Sequence, residues 1–105
     1  MSIVRDEVFG PVVAAIPFDE PEEAIQLAND NSYGLASYVW TRNIGTALSV
    51  AARLKSGKVA INTVAPPYPS IPEGGRKASG YGRDQGLESI DGCLESKVIL
   101  VQTRS

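Results

Sequence analysis

Histidine is absent from this chain, and cysteine occurs once, at Cys93. The first absence removes the commonest general base near neutral pH and the commonest metal ligand. The second leaves no intrachain disulfide, and a lone thiol without imidazole makes a zinc site untenable. Charge of one sign is scarce too: ten basic residues face twelve acidic ones, for a net of −2. Nothing gathers the basic residues into the one-sided footprint that nucleic acid requires. No apolar run approaches the ~20 residues of a membrane helix, and the opening Met1–Asp6 lacks a leader-like apolar core. The expectation is a chain with no metal, no nucleic-acid partner and no membrane insertion, in a reducing, cytoplasmic setting.

What is present fits a single small unit of 105 residues, 43% apolar, able to bury a modest core. Val12-Val13-Ala14-Ala15-Ile16, stopped by Pro17, predicts a buried strand. Asp19, with Pro21 and Glu22 after it, predicts an N-cap with an acidic first turn. The helix it opens turns Ala24, Ile25, Leu27 and Ala28 inward and ends in the turn-forming run Asn29-Asp30-Asn31-Ser32. Residues 35–40 are rich in aromatic and β-branched residues, and predict a second strand. Thr41 or Asn43 caps the next helix, whose apolar face is Ile44, Ala47, Leu48, Ala51 and Leu54. Ser56-Gly57 stops it, and residues 58–62 form a third strand. Two strand–helix–strand units in succession imply an α/β fold, a small parallel sheet with crossover helices.

Residues 63–81 differ in kind. Pro66, Pro67, Pro69 and Pro72, then Gly74, Gly75 and Gly80, leave room for no regular element. A loop this long in a compact unit is usually functional or disordered. A short helix over about residues 86–94, capped by Asp84, follows, and residues 97–102 close the chain as a β-prone strand. Gly74-Gly75-Arg76-Lys77 lacks the spacing of a phosphate-binding loop and predicts a turn. Cys93, flanked by Asp91 and Glu95, lacks the electropositive surroundings of a reactive thiol and is expected to be structural or incidental.

Five ordered motifs carry a resemblance. Glu7-Val8-Phe9-Gly10-Pro11 is followed by Ala28-Asn29-Asp30-Asn31-Ser32-Tyr33-Gly34-Leu35, then by Val39-Trp40-Thr41-Arg42 and Gly57-Lys58-Val59-Ala60-Ile61-Asn62. The fifth is Gly74-Gly75-Arg76-Lys77-Ala78-Ser79-Gly80-Tyr81-Gly82-Arg83, and the tail Leu94-Glu95-Ser96-Lys97-Val98 agrees. Together, from about Arg5 to Gln102, they resemble the C-terminal part of the aldehyde dehydrogenases. Tyr81-Gly82-Arg83 and the tail are closest in flavour to the succinate-semialdehyde type.

The resemblance implies roles. Glu7 matches the carboxylate that accepts hydrogen bonds from the nicotinamide ribose diol, and Phe9 the aromatic beside the nicotinamide of NAD or NADP. Gly10 and Pro11 would turn the chain so that both side chains face the cofactor. Residues 64–73 match the loop lining the aldehyde tunnel, with Val64, Pro67, Tyr68 and Glu73 as its candidate contacts. Here the chain departs from the family, which usually shows P-F-G-G where this sequence has Pro72-Glu73-Gly74-Gly75. A carboxylate in a closed apolar tunnel costs several kcal/mol unless protonated or paired. Either the tunnel admits water or the site has decayed.

In the family the nucleophilic Cys, the oxyanion hole, the Glu base and the dinucleotide-binding domain all lie upstream of the first motif. No catalytic residue is therefore expected here. Residues 1–96 match the C-terminal portion of the catalytic domain, and residues 97–105 an oligomerisation strand paired with another subunit. Three roles follow: a truncated dehydrogenase that binds no cofactor and is inactive alone; an interaction module that self-associates or docks on a full-length dehydrogenase subunit; or half of a split enzyme. Residues 98–101 would form an uncharged strand edge, which predicts a homo-oligomer.

Overall fold

The computed structural model describes residues 2–64 and 66–103. A 3-10 turn at Ser2–Val4 precedes a long extended arm. Helix α1 (Pro21–Asn29) then leads through β1 (Tyr33–Gly34) into β2 (Ala36–Val39). Helix α2 (Ile44–Arg53) crosses over to β3 (Lys58–Ile61), and β4 (Arg76–Lys77) and α3 (Glu88–Asp91) complete the order. β2 and β3 are parallel, in register from Ala36 opposite Lys58 to Val39 opposite Ile61. β1 and β4 pair antiparallel through Tyr33–Lys77 and Gly34–Arg76. The structure is thus a small α/β unit with one complete strand–helix–strand crossover.

Local chemistry accounts for each boundary. Pro21 at the first helical position sets the start of α1, with Glu20 as N-cap. The expected Asp19 cap is not made. The Asp19 amide instead donates to the Glu23 carboxylate at 3.1 Å, a capping-box-like bond made one residue before the N-cap. Asn31 ends the helix: its Nδ2 donates to the Ala28 carbonyl at 2.9 Å and its Oδ1 accepts from the Tyr33 amide at 2.8 Å. Asn43 caps α2 by accepting from the Thr46 amide at 3.0 Å, as one of the two expected residues. Asn62, at φ +52°, closes β3 by gripping Thr41 from both sides, its Oδ1 accepting from the Thr41 amide and its Nδ2 donating to the Thr41 carbonyl.

The core is small: Ile25, Ala47, Leu54 and Ala60, with Ser56 beside them. Ile44 and Leu48, expected inward on α2, are exposed, because the helix turns its Ala47–Leu54 side to the sheet and to α1. Two expected strands are not formed within the chain. Residues 12–16 are extended without a hydrogen-bonded neighbour, and Val13 is 92% exposed. Residues 97–102 are extended and exposed as well. A β-prone segment becomes a strand only beside a free edge, and no described strand borders either one. The last helix is shorter than expected, and its N-cap is Leu87 rather than Asp84, which is tied to Glu73 by backbone bonds. Met1, Ala65 of the expected substrate loop, and Arg104 and Ser105 of the expected oligomerisation strand lie outside the described residues.

The result is elongated, 75 × 33 × 24 Å, with a radius of gyration of 19.7 Å. A compact chain of this length has a radius near ~13 Å. The surface exposed is 8892 Å², against about 5,700 Å² for a compact monomer of this size. The surplus lies in the two arms and in the outer face of α2, where Val13, Leu48 and Val98 to Val101 are among the exposed apolar residues.

Candidate functional site

Glu7 and Phe9 sit on the N-terminal arm, both exposed. Phe9 adopts φ +49° and leaves its ring 93% exposed. A non-glycine residue in the left-handed region costs of order 1 kcal/mol, so the chain spends conformational energy at this aromatic. The turn expected at Gly10 and Pro11 is made there, directly after Phe9, closed by the Gly10 carbonyl accepting from the Val12 amide at 2.7 Å. Arg5 holds the base of the arm to Asp30 at 3.5 Å, an exposed pair of small energetic weight.

A cavity of about 610 Å³ opens beside the arm, between residues 4–7, the end of α1 and the β1–β2 segment. Of the six expected site residues, only Glu7 lines it. Its wall is mixed: Val4, Leu35 and Ala36 lie beside the polar Asn29, Asn31, Lys55, Ser56 and Ser79. Asn29 does most to set this wall. Its Nδ2 donates to the Arg53 carbonyl at 3.0 Å and its Oδ1 accepts from the Lys55 amide at 2.8 Å, so one amide joins the ends of both helices. Lys77 adds a cation at the C-terminus of α1, its Nζ donating to the Asn29 and Asn31 carbonyls at 3.1 and 3.0 Å. The Ser79 hydroxyl accepts from the Gly34 amide at 3.0 Å. The second and fifth motifs thus meet through side chains, which explains their co-occurrence.

The expected substrate loop lies elsewhere. Val64, Pro67 and Tyr68 are exposed on it, and none of them lines the cavity. Glu73 is half-buried and does not stand unpaired: its carboxylate receives the Lys58 ammonium at 2.7 Å. Hydrogen bonding to Glu73 raises the Lys58 pKa above the ordinary lysine value, against desolvation, with the charges of Glu73 and Tyr38 adding to the rise. Neither alternative raised for this carboxylate, an open tunnel or a decayed site, took account of a partner. Lys58 was missed because nothing in the sequence links positions 58 and 73 except opposite charge. Gly57 supplies the closeness. A Cβ there would lie 1.6 Å from the Gly74 carbonyl oxygen, so the two backbones touch where β3 begins.

With this geometry in hand, comparison with known proteins decides the family. The aldehyde dehydrogenase family profile matches residues 1–99. The chain belongs to that family. An NADP/NAD-dependent aldehyde dehydrogenase of Escherichia coli, PuuC, is 42% identical over 100 residues, covering 95% of this chain and 20% of that protein. The betaine aldehyde dehydrogenase of Bacillus subtilis is 44% identical over 104 residues, 99% of this chain and 21% of the relative. Among solved structures, the NAD+ complex of an aldehyde dehydrogenase from Bacillus cereus superposes with a TM-score of 0.91 at 47% identity, covering 99% of this chain and 21% of that one. The chain spans about a fifth of the length of the curated relatives it matches. The Bacillus cereus relative was solved in complex with NAD+.

Proposed function

We propose that this chain is the C-terminal piece of an NAD(P)-dependent aldehyde dehydrogenase, supplying part of the cofactor grip and one lip of the aldehyde tunnel, and that it does not turn over aldehydes alone. The observation that carries this is the uncovered apolar surface. A unit exposing 8892 Å² with four buried apolar residues is shaped to be covered by something larger. Family membership supports one cover in particular, the remaining four-fifths of a dehydrogenase.

Within such an assembly Glu7 would accept hydrogen bonds from the ribose hydroxyls of the nicotinamide end, and Phe9 would pack against its ring. The donor set suits that end of a dinucleotide. An exposed carboxylate accepts from a vicinal diol, and an aromatic side chain two residues on presents an apolar face. When bound, NAD(P) supplies the hydride acceptor. Val64, Pro67, Tyr68 and the Lys58–Glu73 pair would shape the entrance for the aldehyde. The substrate is proposed only as an aldehyde: the relatives named above include one named for betaine aldehyde, and the succinate-semialdehyde flavour rests on the motifs at residues 81–83 and 94–97.

The test mixes purified chain with a polypeptide carrying the N-terminal four-fifths of a family member, NAD+ or NADP+, and aldehydes that include betaine aldehyde and succinate semialdehyde. Turnover by the mixture and by neither part alone is expected. Turnover by this chain alone overturns the proposal.

A second role is favoured by one observation. Val98, Ile99, Leu100 and Val101 are all at least 72% exposed and carry no charge. Such a segment pairs with another strand edge, so we also propose self-association of free copies through residues 97–103. Light scattering at tens of micromolar should return a dimer or larger species. A monomer there refutes it.

A further inference from the structure

The loop at residues 64–73 leaves β3 at its far end and returns beside the strand's first residue, Lys58. Its two feet therefore stand at opposite ends of a four-residue strand, about 10 Å apart at the usual rise. The rest of the loop has fewer described ties. Val64 and Ile71 are exposed, and the described bonds here are Ile71 amide to Tyr68 carbonyl and Gly86 amide to Pro69 carbonyl, both 2.9 Å. The returning foot is fastened on three sides. The Glu73 amide donates to the Asp84 carbonyl at 2.8 Å and the Asp84 amide to the Glu73 carbonyl at 2.7 Å. Gly57 and Gly74 meet backbone to backbone. Lys58 closes the third side, 2.7 Å from the Glu73 carboxylate, with the two side chains 26% and 27% exposed.

We infer that Lys58 is a positioning residue for this loop: its ammonium pins Glu73 against the start of β3, fixes the returning foot, and holds a carboxylate out of the aldehyde's path. This rests on the dehydrogenase function proposed above for its catalytic consequence, but not for the pinning itself. Glu73 stands where the family usually presents an aromatic wall, so an unpinned carboxylate would be free to swing toward an apolar aldehyde. Half-burial makes the pair matter. It is shielded enough from water for its attraction to exceed that of an open surface pair, and it loses less to desolvation than a fully buried one. The raised Lys58 pKa agrees with a proton held by this contact. The residue acts on substrate only through the loop, so it should govern binding more than chemistry.

The experiment compares Lys58→Glu, Glu73→Lys and the swapped double variant with the parent. In the 105-residue chain alone, amide exchange at Glu73 and Asp84 should speed up about fivefold or more in either single variant. In the swap, which restores an opposite pair, it should return to within about twofold of the parent. Lys58→Gln, which introduces no repulsion, gives the same direction of change should Lys58→Glu fail to fold. In the assembled enzyme, Lys58→Glu should raise KM for hexanal about tenfold with kcat within about twofold, and the swap should restore KM. Unchanged exchange in both Lys58 variants, or a swap that rescues neither exchange nor KM, overturns the inference. If the parent assembly shows no turnover, the dehydrogenase function falls, while exchange still decides whether Lys58 holds the loop.

Discussion

Replacing Gly57 by alanine puts the tightest contact in the chain under load. The added methyl would sit 1.6 Å from the Gly74 carbonyl oxygen and 2.8 Å from its carbon, so one backbone must retreat by more than an ångström. Neither is free to do so cheaply. The Gly57 amide donates to the Gly34 carbonyl at 2.9 Å, and the Lys58 amide to the Leu35 carbonyl at 3.1 Å, so moving this segment loosens the entry to β3. Overpacking of this kind costs about 1–3 kcal/mol, and each loosened hydrogen bond adds about 1 kcal/mol. A total near ~3 kcal/mol is large for a chain whose small core places it at the low end of the usual ~5–15 kcal/mol. Urea denaturation followed by far-ultraviolet circular dichroism is the assay. With a slope of about 1 kcal/mol per molar, the midpoint should fall by ~3 M or the variant should lack a folded baseline. A midpoint within ~0.3 M of the parent would show that β3 and the Gly74 segment are not in contact, and the whole placement of the loop's returning foot would go with it.

Asn29→Ala removes both bonds that join the helix ends and should cost about 1–2 kcal/mol in the same titration, whereas Asn29→Asp, which keeps the acceptor for the Lys55 amide, should cost less. Stability should also depend on pH at both extremes. Hydrogen bonding to Arg53 lowers the Glu22 pKa, so its contribution is complete above the ordinary carboxylate pKa and lost as pH falls through the depressed one. Lys58 is shifted upward by Glu73, so its contribution is complete below the ordinary lysine pKa and lost as pH rises through the elevated one. Glu22→Gln should flatten the acid limb and leave the alkaline limb, as pH-dependent melting would show. Binding to the N-terminal four-fifths of a dehydrogenase should carry a heat-capacity change of about −0.5 kcal/mol/K from this chain's side, if the surplus surface is about three-fifths apolar. Calorimetry between 10 and 35 °C (about six temperatures suffice) reads it, and a value near zero would mean the arms stay wet.

Local signals were legible where one residue settles the matter. Asn43 as a cap, the asparagine-rich end of α1 and the crossover from β2 through α2 to β3 all follow from short-range chemistry. The misses share one cause. Residues 12–16 and 97–102 have strand composition, yet a strand also needs an edge to pair with, and composition says nothing about whether one is near. Ile44 and Leu48 likewise have the right helical spacing for burial without a neighbour to bury them. At the site, the motifs around Glu7 and residues 64–73 stood out by resemblance, but Lys58 did not. Its importance comes from a contact across fifteen positions that only the close approach of Gly57 and Gly74 creates.

The two uncovered arms have a consequence for the life of the molecule in a cell. Bare apolar segments are what chaperones capture, what proteases enter, and what drives copies to clump. If the host proposed above covers them, a docked molecule persists, while one made in excess is cleared or precipitates. Supply and docking are thereby coupled without any dedicated regulator: the abundance of this chain should track the number of vacant seats for it.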